Sequence, residues 1–560
     1  MKRFSNTVSI SIHNDIPDIV PYQVFLQIVF RLPEANAKNL VVYRQPSDNG
    51  DASYVIQGVR MNSGLHNPVL HSNMLVEMGI TTNDDENVLD FIDHYRPDFS
   101  IRYYTCESFI FTLINNAFQL SENLDHLIKL RLVVTDLHNF LRFKMGGLLR
   151  NEYTTNGPFY KAELLSLDKL HLLKQGIGKY LTFHSFLSTT INKTRALDFI
   201  NKTEYDQKKQ AIVMYVIEMN SQNDTQQLLQ PFGNVTVLSC TAHEREILFS
   251  IGQVFRIRSI VQNEASQIWT VYLQVLHANE TEHLNNLTDY YLSKIVGTET
   301  FYNGIQARVN FEPLTITTFV TIGNYYSSVL ARNYDKAEFY YQKFLDEELE
   351  SPDDFDFQNQ PGFYYGRVYR LYYSAHSYIN LQLARIRCEQ KTYVEAAEYN
   401  QKAQEACLKI SENAGQQTLL AQIYNNLAQI FWGYTQQYDQ ATRHYLHAIQ
   451  MDRNNVETFI NIGLTQTAAK EYWYALNSFS IALSMIQTRN ETDYLSYGLI
   501  KRNIGLIYEK SEQGLQALLS YWEAERIYNK SLPSNHEFRQ IIRDDIKRVT
   551  KIVTRVHDDL

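Results

Sequence analysis

Four cysteines, Cys106, Cys240, Cys388 and Cys407, are spread over 560 residues with no Cys-x-x-Cys or Cys/His metal spacing among them. Such sparse usage excludes a zinc ribbon or a small disulfide-stapled scaffold and points to a reduced chain. No apolar run approaches the ~20 residues needed by a membrane-spanning helix. The polar start Met1-Lys2-Arg3-Phe4-Ser5-Asn6 also lacks the continuous apolar stretch of a secretory leader. Basic excess is missing as well, with 52 Lys and Arg against 61 Asp and Glu and a net charge of −9. The expectation is a cytoplasmic protein with no membrane, nucleic-acid or metal partner, in which sequons such as Asn192-Lys193-Thr194 occur by chance.

Aromatic residues, by contrast, are abundant. With 39 Tyr and 29 Phe the composition is that of a packed globular chain, and its length exceeds one core, so two to four domains are expected. Residues 1–95 offer a strand-like alternation at 8–12, an apolar run at 22–30 and a second strand at 39–43. They read as a small α/β appendage of unknown role. The apolar spacing across 103–143 predicts two amphipathic helices. A further helix is expected over 161–175, carrying Leu164, Leu165, Leu167, Leu170 and Leu173 and stopped by Gly176 and Gly178. Strands are expected at 211–219, 234–238, 246–257 and 268–275. Helices gathered ahead of many short strands argue for an α+β domain rather than a doubly wound sheet.

Two polar spots interrupt this apolar pattern. The first is Ser188-Thr189-Thr190, preceded by Phe186 and Leu187 and followed by a short helix marked by Ala196, Phe199 and Ile200. The second is the pair Glu244 and Glu246, two apart on a strand and so on one side of it, followed by Ile247, Leu248 and Phe249. A hydroxyl triplet alone is usually a turn or cap, and a lone Glu-x-Glu is usually a solvated strand edge. Their order, spacing and framing are what raise them together.

At these residues the chain resembles the arginine-specific mono-ADP-ribosyltransferases, which use an arginine, a Ser-Thr-Ser-like cluster and a Glu-x-Glu pair in that order. The resemblance covers about residues 100–276. It implies a split antiparallel β core with helices over 96–280, NAD or NADP as co-substrate, and a protein acceptor bearing an exposed arginine. Glu246 is then the catalytic carboxylate, held by Ser188, with Ser188 and Thr189 at the cofactor and Glu244 selecting the acceptor guanidinium. The arginine, which would grip the dinucleotide phosphates, is best matched by Arg150; the family usually has Tyr-Arg-Gly there, whereas this chain has Leu149-Arg150-Asn151. Arg142 and Arg44 are alternatives. His243 beside the pair reads as a loop histidine, and Cys240 has no base that would make it a nucleophile.

Beyond a connector at 281–312, the sequence repeats. Ile462-Gly463, Ala475, Phe479 and Ala482 are matched by Ile504-Gly505, Ala517, Tyr521 and Ala524. Leu427-Ala428, Ala441, Tyr445 and Ala448 fit too, as do Leu383-Ala384, Ala396 and Ala403, and more loosely Ile322-Gly323, Ala337 and Tyr341. Small residues where helices cross and large ones in the neighbouring holes resemble the tetratricopeptide repeat, implying an all-α solenoid over 313–560 whose groove takes a peptide or protein partner. Three functions compete: an arginine ADP-ribosyltransferase, an NAD glycohydrolase, and a catalytically inactive repeat adaptor.

Overall fold

The computed structural model of the chain describes residues 10–37, 41–45, 53–57, 74–75, 80, 86–106, 108–119, 124–145, 158–198, 205–219, 229–236, 238–239, 246–296, 317–347, 362–410, 414–488 and 493–558. The chain divides into two compact units, Met1–Asp289 and Tyr290–Leu560. The first is mixed α/β, built on a sheet; the second is all-helical among the described residues. Among those residues no helix is long and apolar enough to cross a membrane.

Among the described residues, nine strands form the sheet of the first unit: β1 (Ile10–His13), β4 (Phe159–Ser166), β5 (Tyr180–Phe183), β6 (Leu187–Thr190), β7 (Gln210–Glu218), β8 (Phe232–Asn234), β9 (Glu246–Phe249), β10 (Val254–Asn263) and β11 (Ile268–Val275). Their order is β1-β5-β10-β11-β7-β4-β6-β9-β8. A separate ribbon pairs β2 (Val41–Gln45) with β3 (Ser53–Gln57). Among the described strands of the large sheet, only β11 and β7 run parallel. β4 and β6 share one registered pair, Tyr160 with Thr190, so these strands diverge where β4 passes the hydroxyl segment.

The sheet is anchored by rings. Phe249 packs edge-on to Phe159 and Phe255 and stacks on Phe232, with centroids 5.6, 6.1 and 5.0 Å away, and Phe183 meets Tyr215 edge-on at 5.5 Å. These contacts explain why the Ile-Leu-Phe after the carboxylate pair is apolar: Ile247 and Phe249 face the main core.

The strand expected at 234–238 lies instead at Phe232–Asn234, and three further expected elements differ. The segment 161–175 is not one helix: β4 runs to Ser166, whose Oγ accepts from the Lys169 amide, and the helix occupies only Leu167–Gln175. The expected strand at 246–257 is two, β9 and β10, divided at Gly252, whose φ of 77° suits glycine. The helical stretch near 103–143 is broken into Ser100–Thr105, Phe109–Gln119, Leu124–Lys129 and Arg131–Asn139, followed by a π turn at Phe140–Met145. The N-terminal apolar run forms the helix Val20–Ala37, with Val24, Phe25, Leu26 and Val29 fully buried. Gln23 of that helix donates to the Gly252 carbonyl at 2.8 Å and accepts from Gln230 at 3.0 Å.

Cys106 is disulfide-bonded, contrary to the reduced chain suggested by the sparse cysteines. Cys388 and Cys407 are free, and burial pushes their thiols up to about 12 and about 11.

Among its described residues the second unit contains five successive helix pairs: Thr317–Ser327 with Tyr334–Glu347, Gly362–Glu389 with Tyr393–Leu408, Ala414–Ile430 with Tyr438–Met451, Val456–Ala468 with Tyr472–Thr488, and Tyr494–Lys510 with Gly514–Ser531. Helix Glu537–Asp558 follows. Ala337, Ala396, Ala441, Ala475 and Ala517 are completely buried where the paired helices cross. A Cβ on Gly323, Gly463 or Gly505 would come within 2.5–2.6 Å of the ring of Tyr341, Phe479 or Tyr521, so each glycine admits an aromatic partner.

Candidate active site

The hydroxyl strand and the carboxylate strand are neighbours. β6 pairs antiparallel with β9 in the register Leu187 with Phe249, Ser188 with Leu248, Thr189 with Ile247 and Thr190 with Glu246. Alternation along β6 then sends Ser188 and Thr190 to one side and Leu187 and Thr189 to the other. Ser188 Oγ donates to Glu246 Oε1 at 2.6 Å, joining residues 58 apart in the chain. Glu246 is only 2% exposed.

Its second oxygen is also held: Ser239 Oγ donates to Oε2 at 3.0 Å. Ser239 sits in a closed turn, its amide donating to the Val235 carbonyl at 2.8 Å while the Val235 amide donates to the Glu246 carbonyl at 3.0 Å. The carboxylate is therefore fixed by one hydroxyl from a strand and one from the turn that precedes it. Two hydroxyl bonds, one to each oxygen, fix the orientation of the buried carboxylate.

The other hydroxyls of the triplet have structural partners. Thr189 Oγ1 donates to the Ile247 carbonyl at 2.9 Å and so secures the β6–β9 pair. Thr190 Oγ1 accepts from the Asn192 amide at 3.1 Å. Asn192 Oδ1 in turn accepts from the amides of Thr194 and Arg195, capping the helix Lys193–Asp198.

Lys161 lies on β4 beside Tyr160, which shares a cross-strand row with Thr190 and Glu246, so alternation turns Lys161 to the opposite face of the sheet, that of the main core. It is 5% exposed, and on the same strand Glu163 is fully buried. Burial lowers the Lys161 pKa, while the negative charges of Glu163 and Glu246 raise it. Across the ladder Lys161 pairs with Tyr215, whose phenol is pushed far up by burial and by Glu163. Lys161, Glu163 and Glu246 are the only buried Lys, Arg, Asp or Glu side chains of this unit among the described residues. Sequence reading missed both Lys161 and Ser239.

Of the other expected residues, Arg150 and Glu244 lie outside the described residues, as do Cys240 and His243. Arg142 is exposed, its guanidinium 5.2 Å from the Phe143 ring centroid, and Arg44 belongs to the separate β2–β3 ribbon. Neither is brought to Glu246 by strand pairing. Among the described residues no group of three His, Cys, Asp or Glu could hold a metal ion.

No protein-family model and no curated protein sequence matches the chain. Solved structures do. The chain is similar to the Vis toxin, an ADP-ribosyltransferase from Vibrio splendidus, at 13% identity over 33% of this chain and 74% of that one, with a TM-score of 0.21. It is similar to the ADP-ribosyltransferase HopU1 of Pseudomonas syringae pv. Tomato DC3000 at 14% identity over 45% and 97%, with a TM-score of 0.24. A thermophilic TPR protein of Thermus thermophilus matches at 15% identity over 38% and 91%, with a TM-score of 0.26.

Proposed function

We propose that the first unit transfers one ADP-ribose from NAD, or its phosphorylated form, to arginine on a protein, releasing nicotinamide. The observation that carries this reading is the 2.6 Å bond from Ser188 to the buried Glu246. Cleaving the nicotinamide–ribose bond builds positive charge on the sugar, so a fixed carboxylate beside the ribose favours the transition state over the ground state. Ser188 and Ser239 hold such a carboxylate in one orientation before any substrate arrives. The dinucleotide phosphates need a cation, and Arg150 keeps that role. Thr189 supports the cofactor side by securing the strand that carries Ser188. Glu244, two residues before Glu246 in the chain, receives the acceptor guanidinium. The helix pairs of the second unit supply a groove for a protein or peptide partner.

The test is nicotinamide release and label transfer from labelled NAD to an arginine-bearing protein acceptor. Wild type labels the acceptor, and Glu246→Gln abolishes both products. Glu244→Gln releases nicotinamide but leaves the label as free ADP-ribose. If wild type releases no nicotinamide and is not stabilised against heat by millimolar NAD, the transferase reading fails and the inactive adaptor stands in its place.

A further inference from the structure

We propose that the second unit pairs with a second copy of itself through the outward face of the helix Gly514–Ser531, in an antiparallel two-fold contact. The inference lies outside the transferase reading and does not need it. The inward face of that helix is filled: Ala517, Leu518, Tyr521, Ala524 and Tyr528 are buried. On the outward face Leu515, Leu519 and Trp522, spaced four and three apart and so on one side of the helix, are 65%, 61% and 49% exposed. Single exposed apolar residues are ordinary, whereas an aligned row of three large ones marks a contact surface. The end helix Glu537–Asp558 packs beside Gly514 and leaves this row open.

Two features select the same chain as occupant. The first is the order of the row. In a two-fold contact each residue meets its counterpart from the opposite direction. When two antiparallel copies cross at Leu519, Leu515 lies against the partner's Trp522 and Leu519 against its own copy, so the apolar row closes on itself. The second is charge. Glu512, exposed in the turn ahead of the helix, precedes Leu519 by as many residues as Arg526, also exposed, follows it, and the crossing therefore sets Glu512 against the partner's Arg526 at both ends. Among the described residues neither makes an ion pair within its own chain. Glu523, beside Trp522, is already paired with Lys501 at 2.6 Å. The preceding helix pair extends the face. Trp473 and Leu515 stand two residues before their crossing alanines, Ala475 and Ala517, so these exposed side chains hold equivalent outward positions in successive pairs. The helix Tyr472–Thr488 contains no Asp, Glu, Lys or Arg, and a copy approaching it meets no charge to repel or to bury.

The experiment is sedimentation velocity of the full-length chain across about 0.1–100 µM, with circular-dichroism melts of each variant. Wild type sediments as a concentration-dependent dimer. Leu519→Asp weakens association about thirtyfold or more. Arg526→Glu and Glu512→Arg each weaken it about fivefold or more, because like charges then face one another. The double variant carrying both changes returns to within about threefold of wild type, since the pair is exchanged and not lost. Wild type that stays monomeric throughout overturns the proposal, and so does a dimer that Leu519→Asp leaves as tight as wild type, because the contact then lies elsewhere. Should Leu519→Asp not fold, the charge pair decides: a double variant no tighter than its weaker parent overturns the antiparallel contact.

Discussion

Acidification between pH 7 and 5 should loosen the N-terminal segment from the sheet of the first unit. Three histidines tie that segment down. His13 lies on β1, and His184 bonds Ser11 of the same strand at 2.7 Å and meets the Tyr22 ring edge-on at 4.5 Å. His138 stacks on Phe30 at 3.8 Å and bonds the Ser250 hydroxyl at 3.0 Å. Burial is the leading cause of depression in all three, to about 4 for His13 and His184 and about 3 for His138, from an ordinary value of 6.5. A base whose folded pKa is depressed binds more protons when unfolded, so stability falls as pH drops below 6.5 and continues falling to the folded value. Each histidine then costs about 2 kcal/mol between pH 7 and 5. Asp136 acts in the opposite sense: burial raises it from 3.8 to about 7, and its protonation returns about 2 kcal/mol over the same window. The net loss is about 3–4 kcal/mol. Amide hydrogen exchange of residues 10–37, with thermal melts at pH 7, 6 and 5, measures it. In His138→Phe the pH slope should shrink by about a third of the histidine contribution. Stability that is flat or rises on acidification would refute the reasoning.

Other perturbations read other parts of the structure. Ser239→Ala removes a hydroxyl donor from a buried carboxylate, at a cost of about 1.5–3 kcal/mol; kcat/KM for nicotinamide release should fall about tenfold or more, and an unchanged value would show that the turn does not hold Glu246. Gly252→Ala forces a left-handed backbone on alanine and drives its Cβ to 2.2 Å from Leu26 Cδ1. A loss of about 2–4 kcal/mol in urea unfolding of the first unit is expected, and a loss below about 1 kcal/mol would contradict the close approach. Glu512→Gly relieves a left-handed residue at φ 59°; after the entropy glycine loses on folding, the gain should be up to about 1 kcal/mol in a melt of the helical unit. Destabilisation there would mean that the Glu512 side chain makes a contact outweighing its backbone strain.

The buried polar residues in and around the candidate site differed in how far the sequence could disclose them. Ser188 and Glu246 were legible because each is a polar residue set beside apolar neighbours in a short strand, and hydroxyl and carboxylate retain their meaning whatever the register. Lys161 was not legible because β4 is buried along nearly its whole length, so apolar residues occur on both faces and strict alternation disappears. Leu164 and Leu165 then extend the helical spacing of Leu167, Leu170 and Leu173 backward, which placed Lys161 on a helix. A local sign did mark the true boundary: Ser166 followed by Asp168 is a helix start, with serine as cap and an acid in the first turn. Ser239 offered no such sign. Its role comes from a turn that closes through backbone bonds between Val235, Ser239 and Glu246, and no side-chain pattern encodes those bonds.

The helical unit shows the complementary case, in which packing was legible and connections were not. Every expected crossing alanine is buried, but the turns inside the five pairs contain no glycine at their left-handed positions, which are Arg332, Lys391, Gln436, Lys470 and Glu512. Each precedes its alanine, Ala337, Ala396, Ala441, Ala475 or Ala517, by the same five residues. Five non-glycine residues of four kinds adopting one unfavourable conformation at one fixed offset do not owe it to their own preferences, since non-glycine residues lose roughly 1–2 kcal/mol there. The conformation must therefore be imposed by the helices on either side, whose crossing at the alanine leaves one path for the chain between them. The alanine and ring pattern, not turn chemistry, specifies the repeat, and the strain at the turns is what that packing can overcome.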